Sequence, residues 1–144
     1  MRGSPVIADL EAWQRDLLET VLDGAYYTWA GVELVEIAAG RARLRLRPTP
    51  VMLTPWGSVN GSVVNGLIEL PSFLSLLPAL REGERVVTSD IFIQNLKPVP
   101  GDAELVLEGK LLRRGRSMAW CEAAAIVDDT ARTLARVTKA ILSD

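Results

Sequence analysis

Apolar residues recur every three or four positions through the middle of the chain, and this spacing predicts a buried helix. The repeat comprises Val63, Leu67, Leu70, Leu74 and Leu77. Further apolar residues lie off this stripe, so we expect the helix to be buried on most sides. One acidic residue, Glu69, lies within the repeat. Because burial penalises a charged carboxylate, Glu69 needs either a partner or a function.

A two-residue alternation of apolar and polar positions predicts strands on both sides of this helix. The predicted strands cover residues 31–38, 41–47, 85–96, 103–112, 117–127 and 133–142. A first helix, capped by Asp9, is expected to end near Asp23-Gly24. The order α–β–β–α–β–β–β–β predicts one α+β domain over residues 1–144, with a mostly antiparallel sheet of about five to six strands and residues 1–24 as leader and N-terminal helix.

Pro71 interrupts the predicted central helix two residues after Glu69. A proline inside a helix removes a backbone hydrogen bond and crowds the preceding turn. We therefore expect either a kink within residues 67–70 or a new helix start at Pro71-Ser72.

The chain contains no histidine, which excludes Ser-His-Asp and Cys-His catalysis and the usual histidine-containing metal sites. Catalysis, if any, must use carboxylates, hydroxyls, amides or the single thiol. We expect no metal and no cofactor.

The net charge of −2 and the single cysteine narrow the class of protein further. A nucleic-acid partner is not expected, because such proteins usually present a strongly basic face. A lone cysteine, Cys121, excludes an internal disulfide and fits a reducing cytoplasm. No uninterrupted apolar run approaches the ~20 residues of a membrane span, so no membrane partner is expected.

The entry to the central helix, Asn60-Gly61-Ser62, is predicted to present free backbone N–H groups at the positive end of the helix dipole. Such a site can bind an anion or an oxyanion, and with Glu69 it suggests acyl-transfer chemistry. Gly61 and Glu69 are eight residues apart, about 12 Å along one helix. An oxyanion donor and a base must both lie roughly 3 Å from the reacting group. If both act, two antiparallel copies must share each site.

Two groups of arginines allow two interpretations each. Arg41, Arg43, Arg45 and Arg47 share one face of a strand and either bind phosphates or form the solvated face of an antiparallel sheet. Residues 113–116 are expected at a hairpin tip, which is either simply solvated or binds the phosphates of a substrate.

The chain resembles the hotdog-fold thioesterases, in particular the phenylacetate-pathway and 4-hydroxybenzoyl-CoA thioesterase-like group. The resemblance covers about residues 25–142. It rests on Gly57-x-Val59-Asn60-Gly61-Ser62 with an acid nine residues after Asn60, on Val87-Thr88-Ser89-Asp90 leading to Leu96-Lys97-Pro98, on Gly101-Asp102, and on Arg113-Arg114-Gly115-Arg116. The resemblance implies a long central helix wrapped by the sheet, dimers joined sheet edge to sheet edge, and active sites between subunits.

The resemblance also implies roles for individual residues. Glu69 matches the catalytic carboxylate, Gly61 the glycine whose N–H polarises the thioester carbonyl, and Thr88 a hydroxyl that orients water or substrate. The usual histidine and second glycine of the helix entry are here Asn60 and Ser62, and an upstream Asn or Gln is here Thr54. Asn60 retains hydrogen-bonding ability but cannot transfer a proton. The substrate-binding set comprises Ser62, Thr54, Arg114 and Arg116.

The sequence therefore predicts an acyl-CoA thioesterase that acts as a homodimer or a dimer of dimers. Glu69 serves either as general base toward water or as nucleophile through an anhydride, and the acyl group stays open between aromatic and medium-chain types. The alternative is a non-catalytic hotdog module that binds acyl-CoA or serves dimerisation. A hotdog dehydratase is disfavoured because such enzymes normally use histidine.

Overall fold

The computed structural model describes residues 3–144 and shows one sheet wrapped around a central helical segment. The strand order across the sheet is β1-β2-β3-β5-β6-β7-β4, and every pairing is antiparallel except that of β1 with β2. The strands are β1 (Val6–Ile7), β2 (Glu33–Ala38), β3 (Arg41–Leu46), β4 (Arg85–Asn95), β5 (Leu105–Arg114), β6 (Met118–Val127) and β7 (Thr130–Leu142). The helices are α1 (Ala12–Leu22), α2 (Ala25–Ala30), α3 (Gly61–Leu67) and α4 (Glu69–Leu76).

The α+β prediction and the mostly antiparallel sheet are confirmed, with seven strands in the described part of the chain where five to six were expected. The additional strand is β1, which has two residues and pairs in parallel with β2. A strand this short is not detectable from the alternation of apolar and polar residues. Residues 25–30, which no predicted element covers, form the short helix α2.

The alternation of β3 sets which face of the sheet meets the helix. Ala42, Leu44 and Leu46 are buried beneath α4, and the arginines between them point outward. Arg43 pairs with Glu108 of β5, and Arg45 lies 3.4 Å from Glu33 of β2. These cross-strand ion pairs support the interpretation of the arginines as the solvated face of the sheet.

The central helix breaks at Ile68, which ends α3 and precedes α4. This position lies within the range predicted for a kink. Pro71 becomes the third residue of α4, where a backbone N–H has no intrahelical partner, so its missing donor costs nothing. The proline therefore sets the start of a second helix, and Glu69 becomes the first residue of that helix.

Close packing of α4 on the sheet depends on Gly109 of β5. A Cβ placed at Gly109 would lie 2.0 Å from the carbonyl oxygen of Pro71. The two backbones therefore approach more closely than any side chain permits. This contact fixes the depth at which Glu69, two residues before Pro71, sits above the sheet.

The first helix begins differently from the prediction. Glu11, and not Asp9, is the N-cap of α1, and its N–H donates to Gln14 Oε1 at 2.9 Å. The buried Gln14 amide donates in turn to the carbonyls of Leu77 and Leu80, at 3.0 and 3.3 Å. These bonds tie α1 to the end of the central helical segment.

The central segment Gly61–Ala79 is long and apolar enough to cross a membrane by length and composition alone. It is instead enclosed by the sheet, with Leu67, Leu74 and Leu76 among the fully buried residues. Its apolarity is accounted for by this packing, as in the core helix of a globular domain.

Candidate active site

Glu69 lies at the start of α4, immediately after the helix break. An acidic residue in the first turn of a helix is favoured by the helix dipole. The side chain of Glu69 is 30% exposed. The carboxylate is therefore anchored at a helix end while part of it stays accessible.

Thr88 of β4, predicted to orient water or substrate, lies beside Glu69. Its Oγ1 lies 2.7 and 2.8 Å from the two carboxylate oxygens of Glu69. A hydroxyl has one proton, so it donates to one oxygen at a time and leaves the other free to accept elsewhere. The predicted catalytic acid and the predicted orienting hydroxyl thus form one unit.

A third member of this unit, Lys139 of β7, was missed by the sequence analysis. Lys139 Nζ lies 2.8 Å from Thr88 Oγ1 and 3.4 Å from Glu69 Oε2, and the residue is only 3% exposed. The signal was present in the alternation of β7, where Lys139 shares the inward face with Val137 and Ile141. A lysine at an inward strand position requires a partner.

Burial lowers the pKa of Lys139 from its ordinary value, and the nearby Glu69 carboxylate partly opposes this. Two further titratable groups face the pair. Burial, with Glu69 and Tyr26, raises the pKa of Tyr27 on α2, and burial raises the pKa of the Cys121 thiol on β6. Both groups are therefore uncharged near neutral pH.

The helix entry forms a separate group. Asn60 is the N-cap of α3, and its Oδ1 accepts from both the backbone N–H (3.0 Å) and the hydroxyl (2.9 Å) of Ser62. Asn60 and Ser62 therefore satisfy each other. Among residues 3–144, the Gly61 N–H has no hydrogen-bond acceptor, and the space where a Cβ would project from Gly61 is empty. Gly61 thus presents an accessible donor.

Thr54, predicted to bind substrate, organises a turn. Its carbonyl accepts from the Gly57 N–H at 3.0 Å, and its Oγ1 lies 3.0 Å from Ser58 Oγ. Gly101 packs beneath this turn, since a Cβ there would lie 2.7 Å from the Gly57 carbonyl oxygen. The turn holds Trp56 outward, 87% exposed. A substrate-binding role for Thr54 stays a prediction.

The two hairpin arginines differ in their surroundings. Arg114 is mostly buried, pairs with Glu84, and donates to the Gly115 carbonyl at 2.9 Å. Arg116 is exposed. Arg114 is therefore engaged within the chain, and only Arg116 of the two is free to meet a solvent-borne phosphate. Their substrate-binding role stays a prediction.

Within one chain the candidate residues form two clusters. One contains Glu69, Thr88 and Lys139, and the other contains Asn60, Gly61 and Ser62. The eight-residue separation of Gly61 from Glu69 corresponds to about 12 Å of helix. A groove of about 510 Å³ lies elsewhere, on the outer sheet face, and its lining includes Arg43, Glu108 and Arg136 but neither Glu69 nor Gly61.

Among the strands of residues 3–144, the sheet ends at β4, which pairs only with β7. This edge strand is 11 residues long and carries exposed apolar side chains, among them Val87, Ile91 and Phe92. A long, apolar edge is ready to pair with another chain. Thr88 lies on this same strand, so the edge and the Glu69 cluster are adjacent.

Comparison with solved structures identifies the fold. A thioesterase from Haemophilus influenzae is 19% identical, with 89% of this chain and 90% of that chain covered and a TM-score of 0.80. A thioesterase family protein from Silicibacter pomeroyi is 14% identical (92% and 100% covered, TM-score 0.82). The PaaI protein of the phenylacetic acid degradation operon of E. coli is 17% identical (92% and 94% covered, TM-score 0.79).

No protein-family model matches the sequence, and no curated protein sequence matches it. The structural likeness extends over nearly the whole chain and confirms the resemblance at the level of fold.

Proposed function

We propose that this chain, which has the hotdog fold of the thioesterases it resembles, hydrolyses an acyl-CoA thioester to a free acid and CoA. The observation that carries the proposal is the pairing of a partly accessible carboxylate, Glu69, with the Thr88 hydroxyl. The accessible Gly61 N–H supplies the second requirement, a donor for an oxyanion.

The site is completed in a homodimer. Because Gly61 and Glu69 of one chain are too far apart to serve one carbonyl, Gly61 of one protomer faces Glu69 of the other. The apolar edge of β4 supports such pairing, since Thr88 lies on it next to Val87. Two dimers can associate further. The compartment is the cytoplasm, consistent with a single free, buried cysteine.

In the reaction, the thioester carbonyl oxygen accepts a hydrogen bond from the Gly61 N–H. In one route Glu69 takes a proton from water as the water oxygen attacks the carbonyl carbon. In the other route a Glu69 oxygen attacks directly, and water then hydrolyses the anhydride. In both routes the C–S bond breaks and CoA leaves as a thiolate. A thiol has a pKa near ~8.5, so no strong general acid is needed and the lack of histidine is tolerated.

The test is thiol release from a panel of short-chain, aromatic and long-chain acyl-CoAs. The wild-type protein is expected to turn over at least one class, and Glu69→Gln is expected to abolish turnover with the oligomer unchanged. The matched control is Glu122→Gln, which alters a glutamate on the outer sheet face and should leave the rate unchanged. Equal rates in the wild type and Glu69→Gln would remove Glu69 from the mechanism.

One observation favours a second candidate, a non-catalytic module that binds acyl-CoA. Glu69 is held by Thr88 and Lys139 as a structural ion pair would be. In that case the wild type binds CoA measurably in calorimetry and releases no thiol from any member of the panel.

A further inference from the structure

Lys139 occupies a position that is costly for a lysine. It is 3% exposed, and its neighbours on the inward face of β7 are apolar. A buried ammonium group must donate hydrogen bonds to nearby acceptors, because it has no lone pair with which to accept one. The acceptors here are Thr88 Oγ1 at 2.8 Å and Glu69 Oε2 at 3.4 Å.

These contacts fix the direction of the hydrogen bonds. Since Lys139 can only donate, Thr88 Oγ1 accepts from it, and the single Thr88 proton is left to point at Glu69. The order is therefore Lys139 to Thr88 to Glu69. Without the ammonium, the Thr88 hydroxyl is free to rotate and to accept a hydrogen bond from water instead of orienting the carboxylate.

The charges around the pair support a fixed role for the ammonium. Cys121 on β6 lies near Lys139, and Tyr27 on α2 lies near Glu69. Burial raises the pKa of each group, so both are neutral near pH 7. The opposite charge of Lys139 thus balances Glu69 without competition from these neighbours.

We propose that Lys139 is a positioning residue that orients the Thr88 hydroxyl and, through it, holds the Glu69 carboxyl group toward the reacting water. Lys139 does not contact the substrate. The inference rests on the proposed thioesterase function and adds a residue that the resemblance does not assign.

The test compares the pH dependence of kcat and KM in wild type and Lys139→Met, which keeps a long unbranched side chain, one atom shorter than lysine, and removes its charge. At pH 7 we expect kcat of Lys139→Met to fall about 10- to 100-fold with KM unchanged, as for loss of a hydrogen bond to a charged group. The wild-type kcat should fall on the alkaline side, below the pH of an ordinary lysine near ~10.4, because burial lowers the pKa of Lys139. In Lys139→Met this alkaline fall should disappear.

Two controls separate a positioning role from a structural one. Lys110→Met alters an exposed lysine of β5 and should leave both constants unchanged. Cys121→Ala should keep the alkaline fall, which excludes the thiol as its source. In a double-mutant cycle, Thr88→Val combined with Lys139→Met should cost no more than the larger single effect, because Lys139 acts through Thr88.

The outcomes distinguish the two proposals. A wild type that binds CoA but hydrolyses no thioester overturns the proposed function, and the role of Lys139 with it. An active wild type with a folded Lys139→Met of unchanged kcat and pH profile overturns only the inference about Lys139. If Lys139→Met does not fold, the wild-type profile decides, since a kcat that stays flat up to pH ~10.4 also overturns the inference.

Discussion

Gly61 is a glycine that the folding of a single chain does not require. Its φ lies outside the left-handed region, and a Cβ placed there meets no atom within 4 Å. Gly101 and Gly109, by contrast, are both demanded by close contacts within the chain. A side chain would fit at Gly61 within a single chain. The glycine is therefore best explained by a group from outside the chain that approaches it.

Gly61→Ala is therefore expected to separate folding from activity. Its stability should be equal or higher by up to about 1 kcal/mol, because alanine is the better helix residue. The new methyl group would occupy the approach to the N–H, so kcat/KM should fall at least about tenfold, as when an oxyanion interaction is weakened. Urea denaturation and thiol release measure the two effects. An unchanged kcat/KM would show that no reacting group approaches Gly61.

Asn60 combines two roles that substitution can divide. Its Oδ1 caps α3, so Asn60→Ala should lower the free energy of unfolding by about 1 kcal/mol. Asn60→Ser keeps a capping oxygen and should retain that stability. If the Asn60 amide also binds the substrate, Asn60→Ser should lower kcat while its stability stays that of the wild type. If Asn60 only caps the helix, the rate of Asn60→Ser should match that of the wild type.

At the scale of elements, the position of the catalytic acid depends on a contact between helix and sheet. Gly109 lets the carbonyl of Pro71 approach β5, and Pro71 sets the start of α4 at Glu69. Gly109→Ala would place a methyl group 2.0 Å from the Pro71 oxygen, so α4 must move outward. We expect a loss of about 1–3 kcal/mol or more in the free energy of unfolding, measured in urea. Gly61→Ala is the control, because its added methyl group meets nothing.

The buried pair between Glu84 and Arg114 predicts a pH-dependent stability. The hydrogen bond from Arg114, together with the Arg81 N–H, lowers the pKa of Glu84, and burial opposes the shift. A carboxylate with a lowered pKa in the folded state stabilises the fold above its unfolded pKa, near ~4.3. That contribution is lost as the pH falls through the folded pKa. The stability difference between wild type and Glu84→Gln should therefore be constant near pH 7 and shrink below ~4.

The control for this pair is Glu82→Gln, which alters an exposed neighbour in the same turn. Its urea midpoint should follow that of the wild type at every pH. A difference between wild type and Glu84→Gln that did not change between pH 7 and pH 3 would contradict the assignment.

The sequence predicted the secondary-structure elements better than it predicted the tertiary contacts between them. Alternation identified the buried face of β3 correctly, because the orientation of each residue there depends only on its position in the strand and on the side of the sheet that the core occupies. The same rule marks Lys139 as inward-facing, but a lysine among apolar positions is easily discounted. The pairing of Arg114 with Glu84, thirty residues apart, has no local pattern. The resemblance named Thr88 and Glu69 separately and did not predict their contact, because the two residues lie 19 positions apart and meet only in the fold.

At the scale of the whole molecule, the shared site makes a quantitative prediction about mixed dimers. Gly61→Ala disables the donor, and Glu69→Gln disables the acid. In a dimer with one subunit of each kind, one site contains both defects and the other contains an intact Gly61 and an intact Glu69. Random exchange makes half of the dimers mixed, so about a quarter of all sites should recover.

Thiol release from the exchanged mixture measures this recovery. Mixing either variant with itself is the control and should restore nothing. Charge on the β4 edge gives an independent check, because Phe92→Lys alters a side chain that is 62% exposed and should weaken the dimer without unfolding the subunit. If exchange is demonstrated by mass spectrometry and the mixture stays inactive, each site is built within one chain. The separation of Gly61 from Glu69 would then rule out their joint action on one carbonyl.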